Sequence, residues 1–174
     1  MIRIRPAADS DWAGIWPFLQ PVLAAGETYT YPQDISEEAA REAWLPKPPW
    51  HVLVAELTEV PDGLADQVAV GDVVGLVKVG PNQGGRGAHV ANASFVVDPA
   101  ISGRGVGRAL AGAALEQCRQ LGFRAMQFNA VVAANTRATE LWKSLGFTVL
   151  ATVPEAFDHP TEGLVGLHVM HRFL

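Results

Sequence analysis

The sequence predicts an α/β fold: one mixed, mostly antiparallel central sheet of about seven strands, flanked by about four helices. Three observations predict it. Segments with the two-residue period of strands alternate with segments of helical period, in the order β-α-α-β-β-β-α-β-α-β-β. Capping residues and closing glycines bracket the helical segments. No internal repeat and no low-complexity linker divides the 174 residues, so 1–174 reads as a single domain.

Residues 2–5 (IRIR) alternate apolar and basic, as a short strand does. Asp9, Ser10 and Asp11 offer N-caps for a helix that reaches about Leu23 and ends at Gly26. Residues 26–32 (GETYTYP) are polar and aromatic and read as a loop. Asp34 and Glu37 make a D-x-x-E capping box for a second helix, which stops before Pro46. Prolines hold residues 45–50 (LPKPPW) extended. Residues 51–57 and 73–79 flank an acidic, turn-rich stretch and read as a hairpin.

After a turn at 80–87, residues 89–97 form a strand and 98–105 a loop. From Val106 to Leu121 apolar residues recur at Val106, Leu110, Ala114, Cys118 and Leu121, which is helical spacing, and Gly122 closes that helix. Residues 125–132 are a strand. Asn135 caps a helix that ends near Leu145, with Gly146 behind it. Two last strands fall at about 148–153 and 164–173, which leaves 154–163 as a loop.

The hydrophobic fraction of 49% and the charged fraction of 18% fit a globular chain and exclude a disordered one. A net charge of -5 repels a phosphate backbone, so nucleic acid is not the expected partner. The charge is uneven. Between Asp98 and Lys143 six basic side chains face three acidic ones, a local +3 within an otherwise -8 chain. That pattern suits a small polyanionic ligand. The lone Cys118 allows no intrachain disulfide. No apolar run approaches the ~18 residues of a membrane span, and MIRIRP has no apolar stretch long enough for a signal peptide, so none is expected. The expectation is a cytoplasmic protein with no membrane partner.

The most informative segment is FVVDPAISGRGVGRAL. A strand runs into a loop carrying Gly103, Gly105 and Gly107, and a helix follows at once. Glycines let the backbone approach a ligand and adopt positive φ. The open amides and the positive end of the helix dipole then face one anion, and Arg104 and Arg108 add charge. A Rossmann G-x-G-x-x-G spacing would need glycine at 108 or 110, where Arg108 and Leu110 stand, so that fingerprint is absent.

SGRGVG resembles the Q/R-x-x-G-x-G/A pyrophosphate loop of the GCN5-related N-acetyltransferases (the GNAT superfamily), with Gly105 and Gly107 on the pattern's glycines and Ser102 in place of its Gln or Arg. Downstream, NTRATELWKSLGF resembles that family's N-x-x-A-x-x-L-Y-x-x-x-G-F segment at Asn135, Ala138, Leu141, Gly146 and Phe147. The resemblance implies acetyl-CoA as co-substrate and a small-molecule amine as acceptor. It implies that the strands at 89–97 and 125–132 splay apart and that the pantetheine arm pairs with the backbone of Phe95, Val96 and Val97. The diphosphate would lie on Ser102, Gly103, Arg104, Gly105, Val106, Gly107 and Arg108.

The family often places a tyrosine after the leucine of the second motif, to protonate the departing thiolate. Here that residue is Trp142, whose indole cannot supply a proton at neutral pH. Asn135 is then a candidate for stabilising the thiolate by hydrogen bonding, with solvent as the other proton source, and Trp142 is read as a wall of the coenzyme tunnel. Asn92 and Asn129 lie inside strands, where asparagine is unfavourable. They are candidates for holding a polar group of the acceptor, or for satisfying local bulges. Glu27, in the 26–32 loop, is a candidate base or ammonium contact, or a solvated carboxylate. His89 reads as an edge residue. No histidine spacing supports a metal site, so none is expected.

FNAVVAANTRATELWKSLGF also resembles the branch that acetylates proline analogues and small imino acids such as azetidine-2-carboxylate, through Phe128, Asn129, Asn135 and Trp142, together with NASF at 92–95. That resemblance implies an acceptor with a carboxylate beside its nitrogen. Two alternatives stay open: a non-catalytic acyl-CoA-binding module, and an acetyltransferase acting on protein N-termini or lysines. The oligomeric state is also open, with a homodimer through 164–173 one arrangement the residues allow.

Overall fold

The computed structural model describes residues 1–174. Its strands are β1 (Ile2–Pro6), β2 (His51–Leu57), β3 (Val73–Pro81), β4 (Val90–Val97), β5 (Ala125–Val132), β6 (Thr148–His159) and β7 (Gly163–Phe173). They form one sheet in the order β1-β2-β3-β4-β5-β7-β6. Every neighbouring pair is antiparallel except β4 and β5, which run parallel. A parallel pair needs a crossover, and α3 (Val106–Gln120) supplies it. The other helices are α1 (Trp12–Ala25), α2 (Glu37–Trp44) and α4 (Thr136–Ser144).

The strand alternation builds two cores, one on each face of the sheet. On one face Val54, Leu76 and Val96 pack under Trp12, Ile15, Phe18, Leu19 and Leu23 of α1 and Ala40 and Trp44 of α2. On the other, Leu53, Ala55, Val77, Val79, Ala93 and Met126 pack under Leu110, Ala114 and Cys118 of α3 and Trp142 of α4. Each fully buried aliphatic side chain contributes roughly 1.5–3 kcal/mol to this assembly. Cys118 is part of that packing, and burial pushes its thiol up to about 11.

Local details depart from the sequence expectations in four places. The second helix is capped by Ser36, whose Oγ accepts from Ala39 N–H at 3.2 Å, and not by Asp34. Asp11 precedes α1 without capping it, because its carboxylate takes Arg5 (2.8 Å to each oxygen) and Ala8 N–H instead. Residues 47–50 make a turn closed by Trp50 N–H to the Lys47 carbonyl at 3.2 Å, whereas the prolines predict an extended run. Finally, 154–159 are not a loop. β6 continues to His159 past a register shift between Val153 and Phe157, because bulges let a long hairpin bend without ending.

β4 and β5 pair only at Val90–Ala125 and Ala91–Met126 and then part. Trp142 lies against both strands where they separate. Its ring centroid is 4.8 Å from that of Phe95 on β4 and 4.8 Å from that of Phe128 on β5. β5 also carries a bulge between Phe128 and Val131 in its pairing with β7, which places Asn129 and Ala130 on the surface.

Candidate functional site

The parted strands open a cleft of about 800 Å³, lined by β4, β5, the loop ahead of α3, the start of α4 and the loop at 26–32. Such a split leaves strand backbone unpaired. In the β3–β4 ladder the bonds Asn82 N–H to Val90 C=O and Asp98 N–H to Val74 C=O fix the even-numbered residues of β4 toward β3. The odd-numbered Phe95 and Val97 therefore aim their N–H and C=O groups into the gap. One of these is taken: the Tyr29 hydroxyl donates to the Phe95 carbonyl. Burial holds the Tyr29 phenol above its ordinary pKa, so it stays a neutral donor. The remaining groups are open toward the cleft, and open backbone groups favour a ligand that satisfies them.

At one end of the cleft lies the glycine-rich turn. Gly103 and Gly105 hold φ of 86° and 83°, a region other residues enter only with strain. Gly105 is the N-cap of α3. None of the N–H groups of residues 103–108 donates within the chain; the first helical bond is Ala109 N–H to Gly105 C=O at 3.0 Å. Six open donors at a helix mouth, with the dipole behind them, are an arrangement that can hold an anion. Arg108 lines it, steadied by a 2.8 Å bond from its guanidinium to Ser144 Oγ on α4.

Arg104 stands apart from the expected set. It does not line the cleft, and its guanidinium turns away to the Asp62 carbonyl at 3.4 Å. A second arginine, Arg137, lines this end of the cleft from outside the glycine-rich loop. It reaches back from the first turn of α4 to donate to Ser102 Oγ at 2.8 Å. The other coenzyme positions read from the sequence, Phe95, Val96, Val97, Ser102, Gly103, Gly105, Val106, Gly107, Arg108, Asn135 and Trp142, all lie on the cleft wall.

Asn135 has two roles available at once. Its Oδ1 accepts from Ala138 N–H at 3.0 Å and caps α4, as its position before that helix predicts. Its Nδ2 has no partner in the chain and belongs to the cleft lining. Trp142 is 8% exposed and packs among Phe95, Phe128 and Phe147, which is the geometry of a wall.

Away from the helix mouth the lining turns to amides. Asn92 Nδ2 and Asn129 Nδ2 both donate to Asn82 Oδ1, at 3.1 and 2.6 Å, and Gln127 Nε2 donates to Asn129 Oδ1 at 2.9 Å. Asn129 does sit at a bulge, but its side chain bonds other side chains and not the backbone there. One N–H on each of Asn92 and Asn129 remains unused. Asn82 could not be read from sequence, since an asparagine in a turn is ordinary. Glu27 lines the cleft, exposed. His89 is exposed outside the cleft, its Nδ1 3.1 Å from the Arg86 carbonyl. No three His, Cys, Asp or Glu side chains gather closely enough to hold a metal. No helix is long and apolar enough to cross a membrane.

Residues 18–147 match the model of the acetyltransferase (GNAT) family. The chain superposes on the structure of a GCN5-related N-acetyltransferase from Kribbella flavida with a TM-score of 0.89 and 49% identity, over 99% of this chain and 98% of that one. It is 36% identical over 84 residues to the N-acetyltransferase aca1 of Schizosaccharomyces pombe, a match covering 48% of this chain and 40% of that longer protein. It also shares its fold with a phosphinothricin acetyltransferase from Sinorhizobium meliloti in complex with acetyl-CoA, at a TM-score of 0.79 and 20% identity over 99% and 88% of the two chains.

Proposed function

The chain belongs to the acetyltransferase (GNAT) family, and on that premise we propose that it moves the acetyl group of acetyl-CoA to the nitrogen of a small amino or imino acid, with residues 1–174 as one catalytic unit. The observation that carries the reading is the junction of two open backbone surfaces. Six unpaired N–H groups at the mouth of α3 suit a diphosphate, and the open β4 groups, the Phe95 N–H and both groups of Val97, suit the pantetheine arm. Acetyl-CoA supplies an activated thioester when bound along this path.

The chain's own residues then have separable tasks. Residues 103–108, Arg108 and Arg137 hold the diphosphate. The open N–H groups of β4 donate to amide and thioester oxygens, and donors fixed beforehand are effective because they need no reorganisation as charge develops. Glu27 takes the proton of the acceptor nitrogen, directly or through water. Asn135 Nδ2 donates to the departing sulfur, and Trp142 keeps water from that part of the tunnel. The small-acceptor reading is supported by the segments resembling the imino-acid branch and by the aromatic lining that Tyr29 and Tyr31 give the cleft.

Thiol release from acetyl-CoA, measured against a panel of free amino and imino acids, amines and peptides, tests the proposal. Turnover is expected with at least one small amino or imino acid and not with peptides. Coenzyme binding by calorimetry with no release for any acceptor would instead identify a non-catalytic acyl-CoA-binding module.

A further inference from the structure

On the α1/α2 face of the sheet, beside the amide end of the cleft, stands an ammonium with no counter-ion. Lys78 of β3 is half-buried, and its Nζ lies 5.8, 5.4 and 5.6 Å from the ring centroids of Tyr31, Trp44 and Trp50. It donates to the Ala43 carbonyl at 2.7 Å and to the Tyr31 hydroxyl at 3.1 Å. No carboxylate pairs with it; all seven ion pairs of the chain lie elsewhere. A half-buried ammonium held by rings and neutral oxygens, with no anion beside it, favours a negative group nearby.

The Tyr31 hydroxyl connects this charge to the cleft. Its oxygen accepts from Lys78, so its own proton must go elsewhere, and that proton has no acceptor in the chain. Tyr31 lines the cleft, whereas Lys78 does not. Lys78 pairs across the ladder with Ser94, another lining residue, three positions along β4 from Val97. At about 3.3 Å per residue Ser94 is roughly 10 Å from Val97, whose side chain lies beside Gly107 at the helix mouth. The two arginines lining the cleft, Arg108 and Arg137, both serve that mouth. The far end has one positive charge, behind Tyr31, and one negative group in the same loop, Glu27.

We propose that the Tyr31 hydroxyl, polarised by Lys78, is the site that receives an oxyanion of the acceptor, its carboxylate, while Glu27 faces the acceptor nitrogen. This rests on the acetyltransferase reading and adds which residues select the acceptor. Tyr31 touches the substrate; Lys78 is a positioning residue acting through it. A zwitterionic amino or imino acid matches the charge order of the loop, and an acceptor without the anion leaves the ammonium uncompensated.

The test compares azetidine-2-carboxylate with azetidine-2-carboxamide, and proline with prolinamide, in two measurements. The first is binding to the protein saturated with coenzyme A, read by calorimetry. The second is thiol release with acetyl-CoA. The carboxylates should bind about tenfold or more tighter than the carboxamides, the range of a charge-assisted bond. Tyr31→Phe should remove that preference, raising KM for the carboxylates with kcat changed less. Lys78→Met should act likewise, and Lys78→Arg should restore part of the preference. Equal binding of the two members of each pair, or an equal loss for both in Tyr31→Phe, overturns the proposal. Preferential binding without thiol release would keep this site and reject the acetyl-transfer reading.

Discussion

Arg137 donates to Ser102 Oγ across 2.8 Å, tying the first turn of α4 to the loop that leads into α3. The two family-like motifs thus meet physically at the open amides. A guanidinium here adds a charge-assisted donor to a fixed set of backbone donors. Arg137→Ala should therefore weaken acetyl-CoA binding about tenfold in calorimetry, a difference of ~1.4 kcal/mol. Arg104→Ala should change it less than about twofold, because that side chain is turned to the Asp62 carbonyl. Similar losses for the two variants would return the diphosphate contact to Arg104.

At the helix mouth, Gly105→Ala isolates the backbone contribution. The site has φ 83° and nothing within 4 Å of an added Cβ, so the variant suffers conformational strain without a clash. That strain is roughly 1–2 kcal/mol. Thermal unfolding should drop by about 2–4 °C for each kcal/mol in a chain of this size, and coenzyme affinity should fall as the donors tilt. Gly107→Ala has ordinary φ, and its Cβ would meet Leu141 and Val97 at 3.6 and 3.7 Å, an ordinary contact. It should be better tolerated on both measures.

These positions show which parts of the site a sequence can disclose. The demands on Gly103, Gly105 and Asn135 are local, a positive φ and a helix cap, so residue type and spacing reveal them. Arg137, Asn82 and Lys78 act through partners 35, 10 and 47 residues away, and nothing in their own neighbourhoods marks them. The same limit explains Arg104. It lies in the motif, but the loop near Asp62 captures it. Strand periodicity placed β5 correctly, yet it missed the extension of β6 to His159. There the residues are mostly exposed and their register shifts, so the two-residue alternation that marks a half-buried strand is lost.

Trp142 stands where the family motif that this segment resembles often carries a tyrosine, and it is buried against Phe95, Phe128 and Phe147. Trp142→Phe keeps an aromatic ring between Phe95 and Phe128 and should retain kcat within about threefold, with a modest loss of stability. Trp142→Ala empties a buried aromatic site and should cost roughly 3–5 kcal/mol in urea unfolding. If Trp142→Phe folds normally yet loses turnover by a hundredfold, the indole N–H takes part in the chemistry.

Far from the cleft, Arg5 holds two carboxylates together: Asp11 at 2.8 Å and Glu56 at 2.5 Å, linking β1, β2 and the start of α1. Hydrogen bonds from Arg5 keep both carboxyls below their ordinary pKa values, with Arg3 adding to the effect on Glu56. A carboxyl depressed in the folded state contributes stability that is whole above its unfolded value and is lost as pH falls through its folded value. The loss should begin near pH 4.5 and 3.8, where free Glu and Asp titrate, and continue below. Arg5→Gln removes the cause of the depression. It should be less stable than the parent at pH 7, while its urea midpoint should fall less between pH 5 and pH 3. Midpoints that descend in parallel would show that the acid sensitivity of the fold arises from other carboxylates.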